Sequence, residues 1–269
     1  MLTLDVLICT FNEGALGLEQ MLLPPMEGVR YVVSWQQCHY TAAVPDWLVR
    51  DDVTVSILKG QGLSRNRNNA LARSTADLCL IADDDLRYRP EYFSAITSAY
   101  EADPALDFAT FEYTSPHEHK AYPSHSFQLS KMPKGYYVSS VEITFRRKAV
   151  AGNISFNELL GLGAPVLHCG EESIFVADAL RSGLNCRFFP KVVTELTKPG
   201  TSTTRLSDPG VVMAYGAELW YIHRDASVLP RCILKAWRIS RQAHAPGFLK
   251  SLRQILAGVK YLKKGSAIA

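Results

Sequence analysis

The chain has 269 residues, 47% of them apolar and 20% charged, which suits one domain or one domain with an appendage and excludes a mostly disordered chain. Glycine follows no three-residue period, and no unit of roughly twenty to fifty residues recurs, so collagen-like, solenoid and propeller architectures are excluded. The net charge of +3 hides an asymmetry: residues 1–204 carry 18 Lys and Arg against 23 Asp and Glu, while residues 205–269 carry 11 against 3. A mildly acidic body with a basic tail suits an anionic surface such as nucleic acid, acidic lipid headgroups or a phosphate-bearing ligand. The six cysteines form no C-x-x-C pair, which argues against a zinc ribbon or a disulfide scaffold. The start, MLTLDVLICTFNE, has no basic segment or cleavage site and does not read as a signal peptide. No stretch reaches ~18 uncharged apolar residues, so no spanning helix is expected. The simplest location is the cytoplasm, with peripheral contact at the inner face of the membrane.

In chain order, Leu2–Thr10 is an apolar, β-rich run that reads as a buried strand leading into the polar Phe11–Asn12–Glu13. A helix is expected over Gly14–Leu23, stopped by Pro24–Pro25. Strands follow at Val29–Trp35 and Val53–Leu58, then a helix at Leu63–Ser74. Leu78–Ala82 is a short apolar strand running into Asp83–Asp84–Asp85. Pro90–Tyr100 starts with proline at a first helical position, and Leu106–Tyr113 is another strand. This alternation is the pattern of a parallel sheet covered on both faces. Residues 114–138, rich in His, Pro, Ser and Tyr, read as a long loop and suggest a lid, and His117, His119 and His125 within it read as exposed loop residues. Strand character resumes at Val138–Arg146. Glu171–Arg181 is an amphipathic helix opened by acids, and Cys186–Val193 is the last strand. From Asp208 to Lys264 the pattern is helical and basic.

Four features carry candidate chemistry. Three consecutive carboxylates at the carboxyl end of a strand repel one another unless a cation offsets them. In open α/β sheets that end forms the ligand crevice, and Asp83 and Asp85, two residues apart in extended chain, face one site together. Hard divalent cations such as Mg²⁺ or Mn²⁺ prefer such oxygen ligands; the plainer alternative is a polar turn capping the next helix. Thr10, Asn12 and Glu13 end the first strand and enter the same crevice, or cap the following helix. Arg65 or Arg67, at a helix start, suits a diphosphate. Gly170–Glu171–Glu172–Ser173, after Gly161–Leu162–Gly163, offers paired carboxylates for base catalysis, or acids that simply favour a first helical turn.

The pieces TFNE (Thr10–Glu13), LSRNRNNAL (Leu63–Leu71), LIADDDLRYRPEYF (Leu80–Phe93) and FNELLGLGAPVLHCGEESIFVADALRSG (Phe156–Gly183), in this order, resemble the family 2 glycosyltransferases over about residues 1–195. The resemblance implies an α/β GT-A fold, Rossmann-like, with a mixed sheet flanked by helices, here followed by a C-terminal helical extension. It divides the chain into a catalytic domain at 1–204 and a basic extension at 205–269. It implies a sugar-nucleotide donor, a UDP-sugar foremost, and a Mg²⁺ or Mn²⁺ ion held by Asp83 and Asp85. Thr10, Asn12, Glu13, Arg65, Asp83 and Asp84 would contact the nucleotide. Glu172 would be the catalytic base, with Glu171 in reserve. The implied reaction is inverting transfer to a hydroxyl of a glycan or lipid-linked acceptor, in surface polysaccharide biosynthesis.

One departure concerns the metal. Many relatives carry a histidine soon after the last core strand; here Val192–Thr204 reads VVTELTKPGTSTT, with Glu195 or Thr197 in that place and His223 as a late alternative. Arg231–Lys264 interleaves aromatic and aliphatic residues with Arg and Lys, as a helix lying in a membrane interface would; packed helices with a solvated basic side are the alternative. A nucleotidyltransferase would want a basic glycine-rich loop after the first strand, which Thr10–Gly14 lacks. A nucleic-acid module would leave the acid run unexplained. An inactive relative acting as a binding or partner subunit is the competing reading.

Overall fold

The apolar run Leu4–Phe11 forms β1, every residue of it buried up to Thr10. In the computed structural model, which describes residues 1–198, 205–242 and 245–265, β1 lies within a nine-stranded mixed sheet. The other strands are β2 (Val29–Gln37), β3 (Val53–Lys59), β4 (Leu78–Asp83), β5 (Leu86–Arg87), β6 (Phe108–Thr114), β7 (Phe127–Gln128), β8 (Ile143–Arg146) and β9 (Cys186–Leu196). The helices are α1 (Leu63–Arg73), α2 (Pro90–Ala102), α3 (Arg147–Val150), α4 (Glu171–Arg181), α5 (Pro209–His223), α6 (Val228–Ser240) and α7 (Phe248–Gly265).

The sheet runs β3-β2-β1-β4-β8-β6-β9-β5, with β7 also pairing β9. The first four strands are parallel, and β8 enters antiparallel between β4 and β6. This is the expected mixed sheet flanked by helices. The central parallel strands β1 and β4 read as nearly unbroken apolar runs because both faces are covered. The register that matters pairs Cys9 with Asp83, which sets the carboxyl ends of β1 and β4 side by side.

The chain divides into two compact units. The first, Met1–Gln61, Arg65–Ser155 and Asp178–Pro199, holds the sheet. Its core is built on Val6, Ile8, Val33, Trp35, Leu80 and Phe111. The second, Gly62–Ser64, Phe156–Ala177 and Gly200–Ala269, holds α5, α6 and α7. It groups the segment 156–177 with these helices, where the sequence suggested a break at 204. Leu160, Leu167 and Ile174 pack with Ala214, Ala217 and Leu262. Gly216 and Gly258 let α5 and α7 touch: a Cβ on Gly216 would strike the backbone of Ile255, and one on Gly258 that of Met213.

Several elements differ from expectation. The helix expected over Gly14–Leu23 is a 3-10 helix over Asn12–Gln20. Two glycines weaken it, it has no side-chain cap, and it starts from Asn12 in the left-handed region at φ 48°. The strand expected over Val138–Arg146 is confined to Ile143–Arg146, because Ser139 and Glu142 form a capping box that winds Ser140–Glu142 into a 3-10 turn.

The segment 114–138 is anchored by an internal charge, so a lid over its whole length is not what forms. Lys120 is buried and its Nζ lies 2.5 Å from Glu142 Oε1. The rings of Tyr113, Tyr122, Tyr136 and Tyr137 surround it, the nearest centroid 4.1 Å away. Tyr122 also donates to Glu142. Tyr122, Phe127 and Tyr136 pack on Phe188 of β9.

Candidate functional site

The acid run sits where the register puts it, at the carboxyl ends of adjacent parallel strands. Each of its members is held by a different group. Asp83 ends β4, and its Oδ1 lies 3.1 Å from Nη2 of Arg67, a side chain buried to 1% exposure on α1. Thr10 Oγ1 donates to Asp84 Oδ2 at 2.5 Å. The carbonyl of Asp85 accepts from the backbone N–H of Thr197 at 3.0 Å and from its hydroxyl at 2.7 Å. Burial raises the Asp84 carboxyl above the usual range, opposed by the Thr10 hydrogen bond and helped by the charge of Asp83. Burial also raises Asp85, together with repulsion from Asp83 and Asp84; Lys198 pulls both Asp84 and Asp85 the other way. The turn is thus a half-buried excess of negative charge.

The remaining residues of the crevice serve the same turn. Asn66 Nδ2 donates to the Thr10 carbonyl at 3.0 Å, while its buried Oδ1 has no hydrogen-bond partner among the described residues. Asn12 accepts from Trp35 Nε1 at 2.7 Å through its carbonyl and from the Cys38 N–H at 2.9 Å through Oδ1. It therefore ties the end of β1 to β2. Glu13 is exposed. Gly14 is the floor: a Cβ there would overlap Asp84 Oδ2 and lie 2.7 Å from Thr10 Oγ1. Arg65 is exposed and lies over Gly60, so of the two arginines weighed at the helix start it is Arg67 that reaches the acids.

The resemblance implies a divalent cation at the acid run, and the donor set suits one: hard carboxylate oxygens crowded together, with the Asp85 carboxyl raised by burial and by repulsion from both Asp83 and Asp84. Among the described residues no group of three or more His, Cys, Asp or Glu side chains is arranged to hold a metal ion. A site of this kind would be completed by substrate phosphates. Of the three positions weighed for a further ligand, Thr197 clips Asp85, and Glu195 pairs with Arg87 at 3.5 Å. His223 ends α5 in the helical unit. His117, by contrast, is carried by the anchored loop to the acid turn's clip, with Nε2 3.0 Å from the Thr197 carbonyl.

In the second unit the acids of α4 split in exposure. Glu171 is buried at 5% and Glu172 half-exposed. Gly161, at φ 105°, leaves room for Glu171: a Cβ would come within 3.2 Å of the Glu171 carboxyl and 3.1 Å of Ser64 Oγ. Ser64 in turn donates to the Leu160 carbonyl at 2.6 Å. Beneath the turn, Glu218 of α5 lies 3.4 Å from where Gly170 would place a Cβ. Burial raises the Glu218 carboxyl against the pull of Lys235 and a Ser173 hydrogen bond, and burial lowers the Lys235 amine. Of the two acids that open α4, Glu172 is the more exposed.

Residues missed by sequence reasoning are Gly14, Asn66, Lys198 and the Lys120–Glu142 pair; Thr197 was weighed as a metal ligand and not as the clip on Asp85. Thr197 and Lys198 sit where a histidine was sought, and the strand register alone brings them to the acids.

Comparison with known proteins bears on this geometry. Residues 48–156 match the family model of glycosyl transferase family 2. That span takes in Arg65, Arg67 and Asp83–Asp85; it leaves out Thr10–Gly14 and Glu171–Glu172. No curated protein matches the chain in sequence. Among solved structures, S. aureus TarS 1–349 in complex with UDP-GlcNAc is similar with a TM-score of 0.62 at 14% identity, over 98% of this chain and 92% of that one. The longer TarS chain matches with a TM-score of 0.59 at 13% identity; the alignment covers 97% of this chain and 55% of that one. The mannosyltransferase PcManGT from Pyrobaculum calidifontis, in complex with GDP-Man and Mn²⁺, has a TM-score of 0.54 at 14% identity, over 100% and 80% of the two chains.

Proposed function

We propose that this chain, which carries a glycosyl transferase family 2 segment on a GT-A fold, is a glycosyl transfer enzyme that moves a sugar from a nucleotide-diphosphate donor to an acceptor hydroxyl with inversion. The observation that carries the reading is the acid turn, Asp83 on Arg67, Asp84 on Thr10 and Asp85 on Thr197, at the crevice end of two parallel strands. Asp84 and Asp85, crowded with Asp83 in a half-buried turn, are explained by a ligand that brings positive charge. Asp85, with Asp83, would hold Mg²⁺ or Mn²⁺, which when bound neutralises charge on a departing nucleoside diphosphate. Thr10, Asn12, Glu13, Arg65 and Asp84 line the nucleotide side. Glu172 accepts the proton of the acceptor hydroxyl, whose oxygen bonds to the anomeric carbon as the bond to the phosphate oxygen breaks. The neighbours crystallised with UDP-GlcNAc and GDP-Man support a sugar nucleotide as donor; the acceptor we read as a glycan or a lipid-linked sugar of surface polysaccharide synthesis.

A thermal-shift screen of UDP-, GDP-, dTDP- and CDP-sugars with and without Mn²⁺ tests the donor. A metal-dependent shift with one nucleotide class is expected, and silence from every compound would favour an inactive relative. Glu172→Gln is expected to keep that shift and lose transfer; transfer at the parent rate would remove Glu172 from the role.

A further inference from the structure

We propose that the outward face of α6, together with the basic exterior of α7, binds the surface of an anionic lipid bilayer. α6 carries two apolar stripes. Cys232, Ala236 and Ile239 form one and are buried in the helical unit. Leu229, Ile233 and Trp237, spaced four residues apart, form the other and are 55%, 42% and 49% exposed, with Leu234 beside them at 46%. A helix packed on one core needs only the first stripe. A second stripe of four large apolar side chains is an uncovered face of the kind that seeks an interface.

Cations frame it. Arg231, Arg238 and Arg241 are exposed, and the Arg241 guanidinium lies 4.9 Å from the centroid of the Trp237 ring. On α7, Leu249 and Leu256 are 69% and 39% exposed among the exposed Lys250, Arg253 and Lys260. Lys235 turns inward to Glu218 and Tyr215 and belongs to the packing. After Asp225 the sequence holds nine Lys and Arg and not one Asp or Glu. That imbalance selects among occupants. A second copy would set like charges against each other, and nucleic acid would answer the cations while leaving the apolar stripe in water. An anionic bilayer answers both, with headgroup charge for the cations and acyl boundary for the aromatic and aliphatic side chains. Among the described residues no helix is long and apolar enough to cross a membrane, so the helices lie on the surface.

Flotation of the full chain with vesicles tests this without reference to sugar transfer. The chain is expected to float with vesicles of equal parts phosphatidylglycerol and phosphatidylcholine and to stay behind with phosphatidylcholine alone. Binding should weaken as salt rises toward ~1 M, where charge is screened beyond ~3 Å. Replacing Arg231, Arg238 and Arg241 with Gln is expected to lower partitioning about 100-fold, at ~1 kcal/mol per cation. Ile233→Ser with Trp237→Ser is expected to lose binding while the thermal melt and any donor-induced shift stay as in the parent, which separates surface binding from folding and from the proposed activity. Failure to float with phosphatidylglycerol, or flotation indifferent to both variants, overturns the proposal. So does a dimer in light scattering that the same variants dissociate, since the face would then be covered by a second copy.

Discussion

Replacing Gly14 with alanine probes the acid turn from its floor. Gly14 is not among the residues with positive φ, so alanine meets no backbone objection there. The added Cβ would instead overlap Asp84 Oδ2 and press on Thr10 Oγ1 at 2.7 Å. Those two atoms are the partners of one 2.5 Å hydrogen bond. The Asp84 carboxyl ends a short side chain, so it swings aside before any backbone yields, and the loss is one hydrogen bond to a charged acceptor, ~1.5–3 kcal/mol. If that bond sets Asp84 toward the donor, affinity falls about 10- to 150-fold. Gly17 supplies the control. It lies in the same 3-10 helix, is exposed, and among the described residues has no heavy atom within 4 Å of an added Cβ. Gly17→Ala should be neutral or stabilise by ~0.4–1 kcal/mol through the unfolded chain. The assay is calorimetric titration with whichever sugar nucleotide shifts the parent most, in Mn²⁺, beside thermal melts of both variants. Donor binding by Gly14→Ala as tight as by Gly17→Ala would refute the role given to the Thr10–Asp84 bond.

The charge of the acid turn should be visible in pH dependence. The Asp85 carboxyl is raised by burial and by its acidic neighbours, so the folded state holds its proton more tightly than the unfolded chain, and stability falls as pH rises from the unfolded carboxyl range through the folded value. Asp85→Asn is therefore expected to raise the melting temperature at pH 7, by a gain of ~1–3 kcal/mol from relieved repulsion, to lose that gain toward pH 4, and to weaken Mn²⁺-dependent donor binding; a melt unchanged at both pH values would count against the cluster's cost. Lys120→Met strands the buried Glu142 with Tyr122 and the Ser139 N–H and should cost about 3–5 kcal/mol, part of it recovered in the Lys120→Met, Glu142→Gln double variant; additive losses in denaturant titrations would contradict a coupled pair. Gly216→Ala drives a Cβ into the backbone of Ile255, where no side chain can swing aside, and should cost ~1–3 kcal/mol or more, read as loss of helical signal at lower temperature; a parent-like melt would show that α5 and α7 do not touch there.

Much of the sheet was legible because parallel strands covered on both faces leave continuous apolar runs, as in LDVLICT and LCLIA. The strands that escaped, Leu86–Arg87 and Phe127–Gln128, are two residues long and are called into being by β9. A pair of residues has no period to read. The segment 114–138 misled for a different reason. Its Pro, Ser and His are the composition of a free loop, while its order comes from Lys120 meeting Glu142 and four tyrosines. Nothing local distinguishes a lysine destined for a cage from one destined for solvent. The single helical pattern expected from 208 to 264 breaks after His223, where Arg224 takes a left-handed cap at φ 54°, a conformation that a bulky residue adopts rarely and that sequence reading gave no reason to expect.

The same distinction governs the site. Asp83–Asp85 stood out because like charges in a row demand an answer, and their place after an apolar strand said which end of the sheet they would occupy. What the row could not disclose is how each acid is fixed, since the fixing groups come from register. Cys9 paired with Asp83 puts Thr10 beside Asp84, and Leu86 paired with Leu196 puts Thr197 on the Asp85 carbonyl. Arg67 rather than Arg65 reaches Asp83 because residues two apart on a helix point to different faces, a difference the spacing stated but could not orient without knowing which face of α1 meets the sheet. Arg67 is buried on Asp83, so a metal at Asp83 and Asp85 would share Asp83 with a guanidinium, while Lys198 is a nearby counter-charge of Asp84 and Asp85. A cation arriving at Asp85 therefore competes with a lysine, so Lys198→Gln should tighten Mn²⁺ binding in direct titration. An unchanged or weaker affinity would refute that competition.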